Sequence, residues 1–149
     1  MLSRRTPSLK LLFVSAACLL VGLVGCDDEV GPRYPVEGQV LLNGKPATAL
    51  TGSVLFVPDI TKDNKSPFRA GGQIDAEGRY SVSSNGKSGA PAGWYKVLVS
   101  AVPQGTGDRE VVRRPMINPR YAAEKTTPFS IEVVANPAPG AYDLKVTRN

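Results

Sequence analysis

The sequence predicts an all-β protein, an antiparallel β-sandwich of about seven strands behind an N-terminal signal helix. Three observations lead there. No window sustains a helical period, apolar residues alternate with polar ones in short runs, and 15 glycines and 13 prolines punctuate those runs in a chain of 149 residues. Short alternating segments separated by turn residues are the pattern of two packed antiparallel sheets.

The chain opens with Arg4, Arg5 and Lys10, followed by an apolar run from Leu11 to Val24 that ends abruptly at Cys26-Asp27-Asp28-Glu29. A membrane-crossing helix needs about 20 apolar residues. This run is shorter and has the layout of an export signal. Leu23-Val24-Gly25-Cys26 resembles the lipobox of bacterial lipoproteins. The resemblance implies that Gly25-Cys26 is the cleavage site and that the Cys26 thiol carries a diacylglyceryl thioether. Residues 1–25 are then the signal peptide, 26–33 an acidic tether, and 34–149 one folded domain. About 115 residues suffice for one hydrophobic core.

Losing Arg4, Arg5 and Lys10 leaves 15 basic against 13 acidic residues, so the net charge falls from +5 to +2. That balance gives no support for nucleic-acid binding, which calls for basic residues clustered on one face. Cys18 departs with the signal and Cys26 is acylated, so the mature domain has no disulfide.

Tyr34, Val36, Val40 and Leu42 predict a first strand, and Asn43-Gly44 predicts a tight hairpin turn. A second strand covers Ser53 to Val57 and stops at Pro58. Asp59 to Arg69 is polar and reads as an exposed loop. Strand character returns at Gly72 to Ile74, turns at Asp75-Ala76-Glu77-Gly78, and continues from Arg79 to Val82. Asn85 to Pro91 reads as another loop. Trp94 to Val102 is the longest strand, with Tyr95, Val97 and Val99 on one face and Trp94 and Leu98 on the other.

Residues 103–128 hold four prolines and four arginines, with a short strand expected at Glu110 to Val112 and one helical turn near Pro119 to Ala123. So long a stretch without regular structure is uncommon in a compact domain. Phe129 to Val134 and Tyr142 to Val146 close the sheet.

Several of these segments resemble the carboxypeptidase regulatory-like domain. They are Val36-Glu37-Gly38-Gln39-Val40, Leu42 to Ala47, Val54 to Pro58, Ile74 to Val82 and Gly89 to Val97. The resemblance implies a transthyretin-like (prealbumin-like) sandwich. With Asn118-Pro119-Arg120-Tyr121 and Thr126-Thr127-Pro128-Phe129, the whole chain is similar to small lipoproteins of planctomycete-type bacteria. In that family the domain is an accessory or scaffold module, so the expected role is structural or binding, in the cell envelope.

The chain has no histidine. This removes Ser-His-Asp and Cys-His nucleophile arrangements and histidine-ligated zinc. Asp75 and Glu77 sit in a turn that favours Asp for local backbone bonding, which makes them poor candidates for a glycosidase pair. Asp59, Asp63 and Asn64 offer oxygen ligands but lack the spacing of a calcium loop. No enzyme activity, cofactor or metal is expected; a further alternative is a hydrolase.

The expected partners are a membrane, through the N-terminal lipid, and a polysaccharide or envelope protein; the alternative to a structural role is a carbohydrate- or peptide-binding lipoprotein using loop 103–128 and Trp94. The candidate contacts for such a ligand are Trp94, whose ring could stack on a sugar, and Arg109, Arg113, Arg114 and Arg120, which could meet anionic groups.

Overall fold

A computed structural model describes residues 31–105 and 116–148. The signal segment, Gly25, Cys26, Arg109, Arg113, Arg114 and the strand expected at Glu110 to Val112 lie outside the described residues.

Twelve strands and two short 3₁₀ turns make up the described chain. The strands are β1 (Arg33–Tyr34), β2 (Glu37–Leu42), β3 (Lys45–Pro46), β4 (Leu50–Pro58), β5 (Ala70–Ile74), β6 (Arg79–Ser81), β7 (Ser83–Ser84), β8 (Lys87–Ser88), β9 (Ala90–Pro91), β10 (Gly93–Pro103), β11 (Ser130–Val133) and β12 (Leu144–Val146). The 3₁₀ turns cover Ile60–Lys62 and Pro119–Ala122.

Seven of the strands form one continuous hydrogen-bonded path in the order β11-β10-β4-β5-β6-β2-β12. This is the all-β architecture expected, a curled antiparallel sheet closing over its own core. One pair departs from the antiparallel rule. β12 runs parallel to β2, with Leu144 opposite Val40 and Val146 opposite Leu42. The departure follows from connectivity: β12 is reached from β11, at the other edge of the path, by a crossing at 134–143 instead of a hairpin.

The core occupies the concave side. Alternation along β10 buries Tyr95, Val97, Val99 and Ala101, and the neighbouring β4 contributes Val54 and Phe56. Val36, Val40, Ile74, Tyr80, Val133, Leu144 and Val146 complete it, and Ile117 and Tyr121 join it from the segment after residue 115. Two register pairs show how it fits. Phe56 stands opposite Ala70 on one side and Val97 on the other, so small and large side chains interleave. The β2–β3 hairpin turns on Asn43 and Gly44, whose φ values of 51° and 81° match the turn chemistry read from that dipeptide.

Two expected loops are corrected. Asn85 to Pro91 holds β8 and β9: β8 pairs with β7 around Asn85-Gly86, and β9 pairs with β1. Asp59 to Arg69 is not simply exposed, because Asp59 and Asn64 are buried, at 4% and 6% exposure. The helical turn expected near Pro119 is present, with Pro119 in its first turn and the Asn118 side chain capping it by accepting from the Arg120 N–H at 3.1 Å.

Candidate functional site

Trp94 lies at the start of β10 on the outward face, opposite Glu132 of β11, as the alternation of Tyr95, Val97 and Val99 requires. What the sequence did not reveal is how its surroundings are built. The Trp94 carbonyl accepts two hydrogen bonds from the 59–69 loop, one from the Asp59 N–H at 2.9 Å and one from Asn64 Nδ2 at 2.8 Å. The other end of the Asn64 amide accepts from the Ser66 N–H at 3.1 Å. Both faces of that amide are therefore used, which accounts for a buried asparagine within a polar loop.

Asp59 caps the first 3₁₀ turn, accepting from the Thr61 hydroxyl at 2.6 Å and the Thr61 N–H at 3.1 Å. The hydroxyl bond, above all, holds the Asp59 carboxyl below its usual value of 3.8; burial works against this, while the Thr61 amide, Lys96 and Lys62 assist. The folded state thus favours ionised Asp59. Its contribution to stability is complete above the unfolded value and disappears as pH falls through the lowered folded value. Asp59→Asn is accordingly expected to flatten the acid limb of a stability-against-pH curve below about pH 4 while leaving its slope near neutrality unchanged. Urea denaturation across that pH range measures both slopes.

The loop also brings Lys62 to Trp94. Its ammonium lies 3.7 Å from the indole centroid and donates to Ser130 Oγ at 2.9 Å. A cation held over an indole face by a neighbouring strand is a favourable contact. A sugar ring stacking on that same face would have to displace Lys62.

The oxygen-bearing residues of the loop do not converge on a cation. Asp59 serves Thr61, Asn64 serves Trp94 and Ser66, and Asp63 pairs with Lys65 at 3.0 Å. Among the described residues, no group of three or more His, Cys, Asp or Glu side chains is placed to hold a metal ion. Asp75 is similarly committed to turn structure: it accepts from the Arg79 and Glu77 N–H groups at 2.7 and 3.0 Å, and those bonds and the Arg79 side chain hold its carboxyl low despite partial desolvation.

Arg120 is not beside Trp94. The Met116 N–H donates to the Ala101 carbonyl, and the Thr127 hydroxyl donates to the Val97 carbonyl, so residues 116–127 run back along β10 from its far end. Trp94 and Ala101 are seven residues apart in one strand, about 23 Å. Instead, Arg120 donates to the Tyr121 hydroxyl at 2.8 Å and lies 4.8 Å from that ring's centroid.

Tyr121 is buried and stacks on Phe129 at 5.4 Å, and its hydroxyl shares a 3.2 Å hydrogen bond with Thr147. Burial pushes the Tyr121 hydroxyl up in pKa, but Thr147 and Arg120 together bring it below its usual value. Arg120 and Tyr121 therefore act as a clasp that joins the returning segment to the strand edge at Thr147.

Of the five ligand-contact candidates, the described residues place Trp94 and Arg120 in separate, internally bonded clusters, and the other three lie outside them. No helix among the described residues is long and apolar enough to cross a membrane. Comparison with family models, with curated proteins and with solved structures finds no match to this chain.

Proposed function

We propose that this chain is a lipid-anchored, non-catalytic β-sandwich module of the cell envelope, held on a membrane through Cys26 and serving as a structural or binding component. The proposal includes its kinship with the planctomycete-type lipoproteins that carry a carboxypeptidase regulatory-like, transthyretin-like domain.

The observation that supports it best is the place where the sandwich begins. Backbone pairing in the described chain starts at Arg33, the last residue of the spacer read from the sequence, and core packing starts at Tyr34. The lipobox-like Leu23-Val24-Gly25-Cys26 precedes both, so every strand and core side chain of the described residues belongs to the part that stays after cleavage there. Each lipid methylene buried in a bilayer contributes about 0.8 kcal/mol, and two or more acyl chains give stable anchoring. A non-catalytic role is supported by the use of Asp59, Asn64, Asp75 and Arg120 in caps, turns and clasps.

Metabolic labelling with an alkyne-bearing fatty acid tests the reading. The wild-type chain is expected to take up the label and Cys26→Ser to take up none, with both detected in comparable amount by antibody. An unlabelled wild-type chain overturns it.

A further inference from the structure

Ile60 is the one large apolar side chain that stands exposed among the described residues, with 79% of its surface in solvent. Its own loop does not require an apolar residue there. The 3₁₀ turn is closed by the Asp59 cap and by the Asp63 N–H bonding back to the Ile60 carbonyl, neither of which involves the Ile60 side chain. The base beneath it is firmly seated, through Asp59 and Asn64 on the Trp94 carbonyl and through Lys62 on Ser130. Ile60 is thus presented from a fixed platform, and exposed Lys62 and Lys65 follow it in the same loop.

The platform is next to the root of the tether. Lys62, Asp63, Asn64 and Lys65 line one side of a cleft of about 400 Å³ whose other walls include Gly31 and Pro32. Only four residues lie between Cys26 and Gly31, and the five steps reach at most about 18 Å when fully extended. A lipid on Cys26 therefore keeps this end of the sandwich within a short distance of the bilayer surface.

We infer that the Asp59–Pro67 loop is a second membrane contact, in which Ile60 enters the boundary between headgroups and acyl chains and Lys65 meets lipid phosphates, while Lys62 keeps its place over Trp94. The inference rests on the proposed anchor and adds an orientation to it: the β1–β9 end of the sandwich faces the bilayer. An apolar tip with an exposed lysine in the same loop is the composition of an interfacial contact, since a lysine stem lies along apolar surface and its ammonium stays with the phosphates. Asp63 and Glu132 oppose binding to a strongly anionic surface, so the apolar tip supplies most of the attachment and Lys65 adds to it. In a leaflet containing anionic lipid, Lys65 favours the docked orientation about fivefold, and Ile60 favours it about tenfold.

Trp94 is the only tryptophan in the chain and lies under Lys62, so its fluorescence reports on this end alone. The test uses the full mature lipoprotein in vesicles of mixed phosphatidylcholine and phosphatidylglycerol, with or without acyl chains brominated near the headgroup. The wild-type chain is expected to float with the vesicles and to be quenched by the brominated lipid. Ile60→Asp is expected to float equally and lose most of the quenching, and Lys65→Glu to lose part of it. Flotation without quenching, or quenching that survives Ile60→Asp, overturns the loop contact and leaves the anchor standing. A chain that does not float overturns both.

Discussion

Gly72→Ala is expected to destabilise the domain by about 3 kcal/mol or more, lowering its thermal midpoint by about 10 to 15 °C. An ideal Cβ on Gly72 would overlap the Ser81 carbonyl oxygen and stand 2.8 Å from its carbon, both rigid backbone atoms. The approach is close for a specific reason. β6 and β7 pair with β5 in one register, Ile74 opposite Tyr80 and Gly71 opposite Ser83, and the interruption between them falls at Val82. Val82 turns its backbone away from β5, donating to the Val36 carbonyl at 3.1 Å and accepting from the Gly89 N–H at 2.8 Å.

The Ser81 carbonyl consequently leans over the position where a side chain on residue 72 would stand. Neither strand can retreat, because β5 is held by β4 along five register pairs. Gly44→Ala provides the contrast. A Cβ there meets nothing within 4 Å, and only the positive φ of 81° is unfavourable, so the cost is about 1 kcal/mol. Scanning calorimetry on the two variants separates a steric clash from a conformational preference, and equal shifts would contradict the close approach at Ser81.

Phe56→Ala is expected to cost about 3 to 5 kcal/mol. The ring is fully buried, 5.9 Å from the Tyr95 centroid in an edge-on arrangement and 6.4 Å from Tyr80. Tyr80 and Tyr95 are themselves fixed by their hydroxyls, which donate to the Tyr142 and Pro91 carbonyls. Burial raises both phenols above their usual pKa, so they remain neutral donors. Because these two rings are tied by hydrogen bonds, they cannot collapse into the space Phe56 vacates, and the cost belongs at the upper end of the range. A loss of this size is a large part of the total stability of a typical domain. Leu55→Ala, one residue along and on the outward, half-buried face, is expected to cost about 1 kcal/mol. Equilibrium unfolding in urea compares the pair, and a Leu55 effect as large as that of Phe56 would contradict the assigned faces of β4.

Much of the sheet was legible because its signals are local. Alternation along 94–102 identifies the inward residues of β10 with no knowledge of what they pack against, and Asn43-Gly44 announces its turn within two residues. The helical turn at Pro119 was legible for the same reason, since Asn118 and Pro119 carry the cap and the first turn between them. The parallel β12 left no such mark, because strand direction depends on where the 134–143 crossing delivers the chain.

The candidate site shows the same division. That Trp94 points outward follows from the inward Tyr95, but the arrival of Lys62 on its ring depends on bonds between residues 30 positions apart. Asp59 and Asn64 read as solvated because polar residues among Lys, Asp and Pro usually are. Their burial is decided by a distant carbonyl with two unmet acceptor sites, for which a linear sequence has no sign. Tyr121 was missed as a core residue because its hydroxyl partner, Thr147, lies 26 residues further on and the segment around it carries no strand alternation.

Lipid anchoring at Cys26 is tested by the mass of the N-terminal peptide of the chain recovered from cells. That peptide is expected to begin at Cys26 with a diacylglyceryl group on the sulfur. A peptide beginning at Met1, or one carrying Cys26 with a free thiol, would contradict it.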